Sequence, residues 1–135
     1  WRVKSILRRF GWRDTGEYIG GVVGTFMKTV LMADLNIITA EWVGWGGRTD
    51  INKRAHARTV IVSRDPVALD YYSSKYVLLP ATPKTGELTH YAKWNNPDYA
   101  NGPFRKFLED CHKQGVGNLD ERFIVTKTFD SMVNS

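Results

Sequence analysis

Apolar and β-branched side chains run without a break through Thr59-Val-Ile-Val-Ser63. Directly after Asp65-Pro66 the apolar spacing becomes that of a helix, with Val67, Tyr71, Ser74 and Leu78 on one face. Asp65 stands where an N-cap accepts from the free N–H groups of a first turn, and Pro66 fills the helical position that needs no N–H. Pro80 is expected to stop this helix. Strand, short turn and helix in this order form the unit from which α/β sheets are built.

The same patterning places the other elements. Val3, Ile6, Leu7 and Phe10 predict a short amphipathic helix ending at Gly11. Ile19, Val22, Val23, Phe26, Val30 and Leu31 predict a second helix within 17–32, whose Gly20, Gly21 and Gly24 suit close packing on a neighbour; no strand precedes them and no phosphate-loop spacing is present. Asp34-Leu-Asn-Ile-Ile-Thr-Ala40 reads as a buried strand, Glu41-Trp-Val-Gly-Trp-Gly-Gly-Arg48 as a glycine-rich loop, and 49–57 as room for one helical turn. Residues 80–102, rich in proline and aromatic side chains, read as a long loop, either a lid, a binding loop or a wrap around a partner, or a surface excursion pinned by its aromatics. Pro103 opens a helix with Phe104, Phe107, Leu108 and Cys111 on one side, Arg105/Glu109 and Glu109/Lys113 pairing across turns, and Gly115 as its left-handed cap. Arg122-Phe-Ile-Val-Thr-Lys-Thr128 alternates as a sheet-edge strand does.

With helices between the strands at 35–40, 59–63 and 122–128, the expected fold is α/β: a mostly parallel or mixed sheet with flanking helices, one domain over 1–135 that forms part of a larger one. The chain starts at Trp1 without a methionine, which reads as a fragment or processed piece of a longer protein. Its length suits a single core.

Charge and cysteine usage narrow the chemistry. Lys plus Arg number 19 against 14 Asp plus Glu, a net +5 concentrated at Arg2, Lys4, Arg8, Arg9 and Arg13. That excess favours anionic partners. A nucleic-acid role would demand strongly salt-dependent affinity and ranks last among the readings. The single Cys111 excludes an internal disulfide and an all-cysteine metal or cluster site made by this chain alone. His56, His90 and His112 lack metal-ligand spacing, so no metal site is expected. No serine sits in a nucleophile-elbow context, no signal-peptide pattern opens the chain, and no apolar run is long enough to span a bilayer; the compartment, cytoplasmic or exported, is left open.

In an open parallel sheet, ligands sit beyond the carboxyl ends of the strands. Two such ends deliver a rim of Glu41, Trp42, Trp45, Gly46, Gly47 and Arg48 on one side and Ser63, Arg64 and Asp65 on the other. Arginines and free helix N–H groups favour a small anionic ligand, glycines admit close backbone contact, and tryptophans supply a flat wall. Asp65 and Asp70 are the candidate catalytic carboxylates, to orient the ligand or exchange a proton. Each has a plainer reading beside it: Asp65 as a cap, Asp70 as a helix residue that faces solvent or pairs with Arg64 or a neighbour, Trp42 and Trp45 as packing.

The strings Leu35–Ala40, Ser63-Arg-Asp-Pro-Val-Ala-Leu-Asp70 and Gly115-Val-Gly-Asn-Leu-Asp120 resemble the C-terminal half of the domain-of-unknown-function family 362 over roughly residues 30–128. That resemblance implies an α/β fold and a redox setting, since the family is often accompanied by ferredoxin-type 4Fe-4S modules, but no defined reaction. The usual N-terminal half and the cluster cysteines have no counterpart in this sequence. The resemblance therefore implies a cluster only on a partner or a further segment. Two functions follow: an enzyme-like domain holding a small anionic substrate or cofactor at the rim, or a non-catalytic subunit packing against a second polypeptide, either a missing N-terminal half or an electron carrier.

Overall fold

The computed structural model describes residues 16–45, 52–83 and 89–129. The helix expected over residues 3–10 and the rim residues Gly46, Gly47 and Arg48 lie outside them. Helix α1, Gly16–Thr29, forms where the second apolar period predicts a helix. It packs along the later helix Pro103–Lys113. The glycines make that approach close: a Cβ on Gly20 would stand 2.3 Å from the Phe107 carbonyl oxygen, and one on Gly24 3.0 Å from the Cys111 Cα. Val23 and Met27 face the core, while Val22, Phe26, Val30 and Leu31 remain exposed.

The sheet corrects the expected fold. Among the described residues it has two strands only, β1 (Asn36–Gly44) and β2 (Arg54–Ser63), and they run antiparallel. It is not a mostly parallel or mixed sheet. Both strands are longer than the pattern predicts. Glu41 to Gly44, expected in the glycine-rich loop, continue β1, and Arg54 to Ala57, expected near a helical turn, open β2. So few residues separate the strands that no crossover helix fits between them, and an antiparallel return is the available connection. Trp45 closes it by donating its N–H to the Lys53 carbonyl at 3.1 Å. A bulge between Ala40 and Trp42 sets one β1 residue against two of β2, and Arg58 there has a φ of 46°.

Helix α2, Pro66–Ser73, starts under its Asp65 cap and runs on through a π-helical segment, Ser74–Leu78, and a last turn, Leu79–Ala81. Pro80 therefore sits inside the helical stretch. A proline ring crowds the carbonyl four residues back in an α-helix, and here the wider π turn precedes it. The 80–102 stretch is not a single loop, since it contains helix α3, Thr89–Trp94. Buried Thr82 and Pro97 anchor it, whereas Trp94 is exposed. Helix α4, Pro103–Lys113, opens on its proline and ends before Gly115 at φ 80°. Arg105 and Glu109 pair at 2.6 Å, but Lys113 pairs with Asp110 at 3.1 Å.

The strand expected over 122–128 is absent. Asp120 accepts from the Arg122 N–H and caps a 3-10 turn, Glu121–Phe123, which diverts the chain; no ladder joins 124–129 to β2. The core lies between α2, α4 and the 115–124 segment, where Val67, Tyr71, Leu108, Cys111, Val116 and Leu119 pack together. Among the described residues no helix is long and apolar enough to cross a membrane.

Candidate functional site

Asp65 is the junction of the two most distinctive strings in the sequence. Its Oδ1 accepts from the Ala68 N–H at 2.8 Å, and its Oδ2 accepts from the Asn118 N–H at 2.6 Å. The carboxylate thus caps α2 and clamps the Gly115–Asp120 loop in one stroke. Ser63 joins it, its Oγ accepting from the Asp65 N–H at 3.0 Å. Both oxygens of Asp65 are thus engaged with backbone N–H groups.

Among the described residues, the two strand ends expected to share a rim stand apart. Antiparallel register pairs Asn36 with Ser63 at one end and Gly44 with Arg54 at the other. Eight residue steps of ~3.3 Å put Ser63, Arg64 and Asp65 roughly 26 Å from the Trp45 end. Glu41 is exposed beside the bulge, and Trp45 is buried, its Nε1 unpaired among the described residues. Arg64 is exposed at the Ser63 end. Asp70 belongs to neither end: it lies beneath the middle of the sheet.

A second polar group was not foreseen from the sequence. The Lys75 ammonium, carried by the π segment, lies 2.6 Å from Glu121 and 2.9 Å from Asp98, and donates to the Tyr71 hydroxyl at 3.1 Å. Tyr71 in turn donates to Asp98 at 2.6 Å, and Tyr76 donates to Glu121. The Glu121 hydrogen bond, ahead of a burial penalty, holds the Lys75 pKa above the ordinary lysine range. Burial and then the Asp98 bond push Tyr71 up to about 12, so its hydroxyl stays a donor at neutral pH and cannot serve as a base. Burial opposes ionisation of Asp98, but the Tyr71 and Lys75 bonds outweigh it and leave its pKa low. This network ties α2 to the segments carrying Asp98 and Glu121. The one signal that could have found it is the i,i+4 spacing of Tyr71 and Lys75. Lys75→Met is expected to cost about 1 kcal/mol, because all three charged groups are partly solvated, and to cost less in 1 M salt; urea unfolding at two salt levels reads both.

Of the two candidate catalytic carboxylates, Asp70 is the one whose oxygens remain unengaged among the described residues. It is half-buried, forms no side-chain hydrogen bond or ion pair with another described residue, and borders a cavity of about 250 Å³ under the inner face of the sheet. Burial raises its pKa to about 6. Perturbed carboxylates in apolar cavities are functional candidates on physical grounds.

Cys111 does not offer an external thiolate. Its Sγ donates to the Gly20 carbonyl at 3.3 Å inside the core, and burial, then Asp70 and Asp110, push its pKa up to about 11. No family model, curated protein or solved structure compared with this chain matches it.

Proposed function

We propose that this chain is an interaction module, completed by an extended strand of another polypeptide segment that pairs with the free edge of β2. The observation carrying this reading is a groove of about 610 Å³ with Arg58–Ser63 on one side, Ile124–Phe129 on the other, and Leu69, Tyr72 and Val77 as its floor. One edge of β2 pairs with β1; the other has no backbone partner among the described residues. Val60 and Val62 are 66% and 52% exposed, and Val125 and Phe129 across the groove are 88% and 87% exposed. A two-stranded ribbon is marginal by itself, an open edge is a template for another strand, and apolar side chains on both walls supply the burial to hold it. The strand's owner is either a further part of a longer chain or a separate subunit. An electron carrier with a 4Fe-4S cluster is the partner that the family resemblance adds.

Hydrogen exchange tests this. The amides of 58–63 directed away from β1 are expected to exchange quickly in the isolated chain. In material taken intact from its source they are expected to exchange at least tenfold more slowly. Val60→Lys with Val62→Lys, at exposed positions where substitutions shift stability by under ~0.5 kcal/mol each, is expected to abolish that protection. Equal exchange in both preparations, or protection that survives both lysines, overturns the proposal.

A small anion at the outer sheet face is the second reading. It is favoured by the Arg54 guanidinium 4.5 Å over the Trp42 ring, with His56 and Arg58 alongside.

A further inference from the structure

We infer that the cavity under the sheet binds a small organic cation with an apolar body, an alkyl- or arylammonium ion, through the Asp70 carboxylate. This site lies on the face of the sheet opposite Val60 and Val62; it shares Ile61 and Val77 with the groove beside β2, but its polar groups, Asp70, Ser73 and Ser74, do not line that groove.

The chemistry of the lining selects the ligand. The walls are Ile38, Ile61, Val77, Leu78 and Phe104, side chains that reject a hydrated ion but accept a hydrocarbon. Into this apolar space face Asp70, Ser73, Ser74 and Asn95. Both serine hydrogens are already used: Ser73 Oγ donates to the Leu69 carbonyl at 2.6 Å, and Ser74 Oγ donates to the Asn95 carbonyl. What the serines have left is acceptor capacity, beside a carboxylate that is itself an acceptor when ionised. A group with several N–H donors and a positive charge satisfies all three. An anion would meet acceptors and a negative charge.

The volume sets the size. At about 250 Å³ the cavity is below the roughly 300–1,000 Å³ of drug-sized sites, so the ligand is of the bulk of benzylammonium. Charge on other elements does not compete. The lining from β1, β2, the π segment, Asn95 and Phe104 carries none, and the titratable group coupled to Asp70 from α4 is Cys111, which stays neutral. A carboxylate taken from water without a counter-ion is costly, and a cation seated against it relieves that cost.

The test uses the full chain, with benzylammonium chloride and the neutral isostere benzyl alcohol as probes, followed by the methyl resonances of Ile38, Ile61 and Leu78. At pH 8 benzylammonium is expected to bind with a Kd on the order of 1 mM, as suits so small a ligand, and at least tenfold more tightly than benzyl alcohol. At pH 5, one unit below the pKa of about 6, most of the carboxylate is protonated and the affinity is expected to fall roughly tenfold. Asp70→Asn preserves the shape of the site. It is expected to erase the preference for the cation while benzyl alcohol still shifts the same methyls, which shows the cavity intact. Absent methyl shifts with benzylammonium at pH 8, equal affinity for the two probes, or a cation preference surviving in Asp70→Asn would each overturn the assignment.

Discussion

Replacing Gly117 by alanine is expected to lower the unfolding free energy by about 4 kcal/mol. Gly117 has a φ of 66°, and alanine held there costs roughly 1 kcal/mol. The larger part is steric. A Cβ at this position would stand 2.2 Å from Asp65 Oδ1 and 2.7 Å from Val67 Cβ, and the carboxylate has no freedom to give way because it is fixed by two N–H donors. Pushing it aside forfeits a charged hydrogen bond to Asn118 N–H, worth about 1.5–3 kcal/mol, and weakens a helix cap worth about 1 kcal/mol. The loop it displaces holds Val116, fully buried in the core. A double-mutant cycle separates these terms. In an Asp65→Ala background the same glycine replacement is expected to cost roughly half as much, since its main obstacle is gone. A loss under about 1 kcal/mol, or an equal loss in both backgrounds, would show that the clamp is not what the loop requires.

That clamp also explains which parts of the fold could be read in advance. Asp65-Pro66 as a helix start, Gly115 as a helix end and the close packing of Gly20 and Gly24 depend on neighbours a few residues away or on backbone sterics, and local sequence encodes both. The partnership of Asp65 with Asn118 joins residues 53 apart, and nothing in either string announces the other.

Sheet direction is not legible in the sequence for an equally concrete reason. Strands ending at Ala40 and starting at Thr59 leave ample chain for a crossover helix; strands ending at Gly44 and starting at Arg54 do not. The missing residues, Arg54-Ala-His-Ala in β2, alternate in burial but include neither a β-branched nor an apolar aromatic side chain, so their strand state comes from pairing and not from propensity. Once the direction reverses, the rim built on strand ends separates into two distant groups. Asp70, read first as a helix residue that could face solvent, lies over Ile38 and Ile61 because the register sets those two opposite each other on the inner face. Lys75 finds Asp98 and Glu121 in the same way, through distant segments folded onto one helix.

The sign of the Asp70 pH dependence follows from its raised pKa. A carboxyl whose folded pKa is about 6 and whose ordinary value is 3.8 binds its proton more tightly in the folded state. Its contribution to stability is therefore complete below the unfolded pKa and is lost as pH rises through the folded one. Two pK units correspond to about 3 kcal/mol, an upper value for a group that is only half-buried. Asp70→Asn removes the charge and keeps the shape. The variant is expected to match the wild type near pH 4, to gain on it between pH 4 and 6, and to stay more stable by about 2–3 kcal/mol at pH 8. Urea unfolding of both proteins across that range measures the difference, and the sigmoid must be centred in that window. A flat difference would mean that the carboxylate is solvated and carries no unspent charge, which would remove the electrostatic basis for cation binding. Addition of benzylammonium at pH 8 sharpens the reading, because a cation that binds the folded, ionised form at least tenfold more tightly is expected to stabilise the wild type distinctly more than Asp70→Asn. Together the two curves distinguish a carboxylate kept for a ligand from one merely tolerated beneath the sheet.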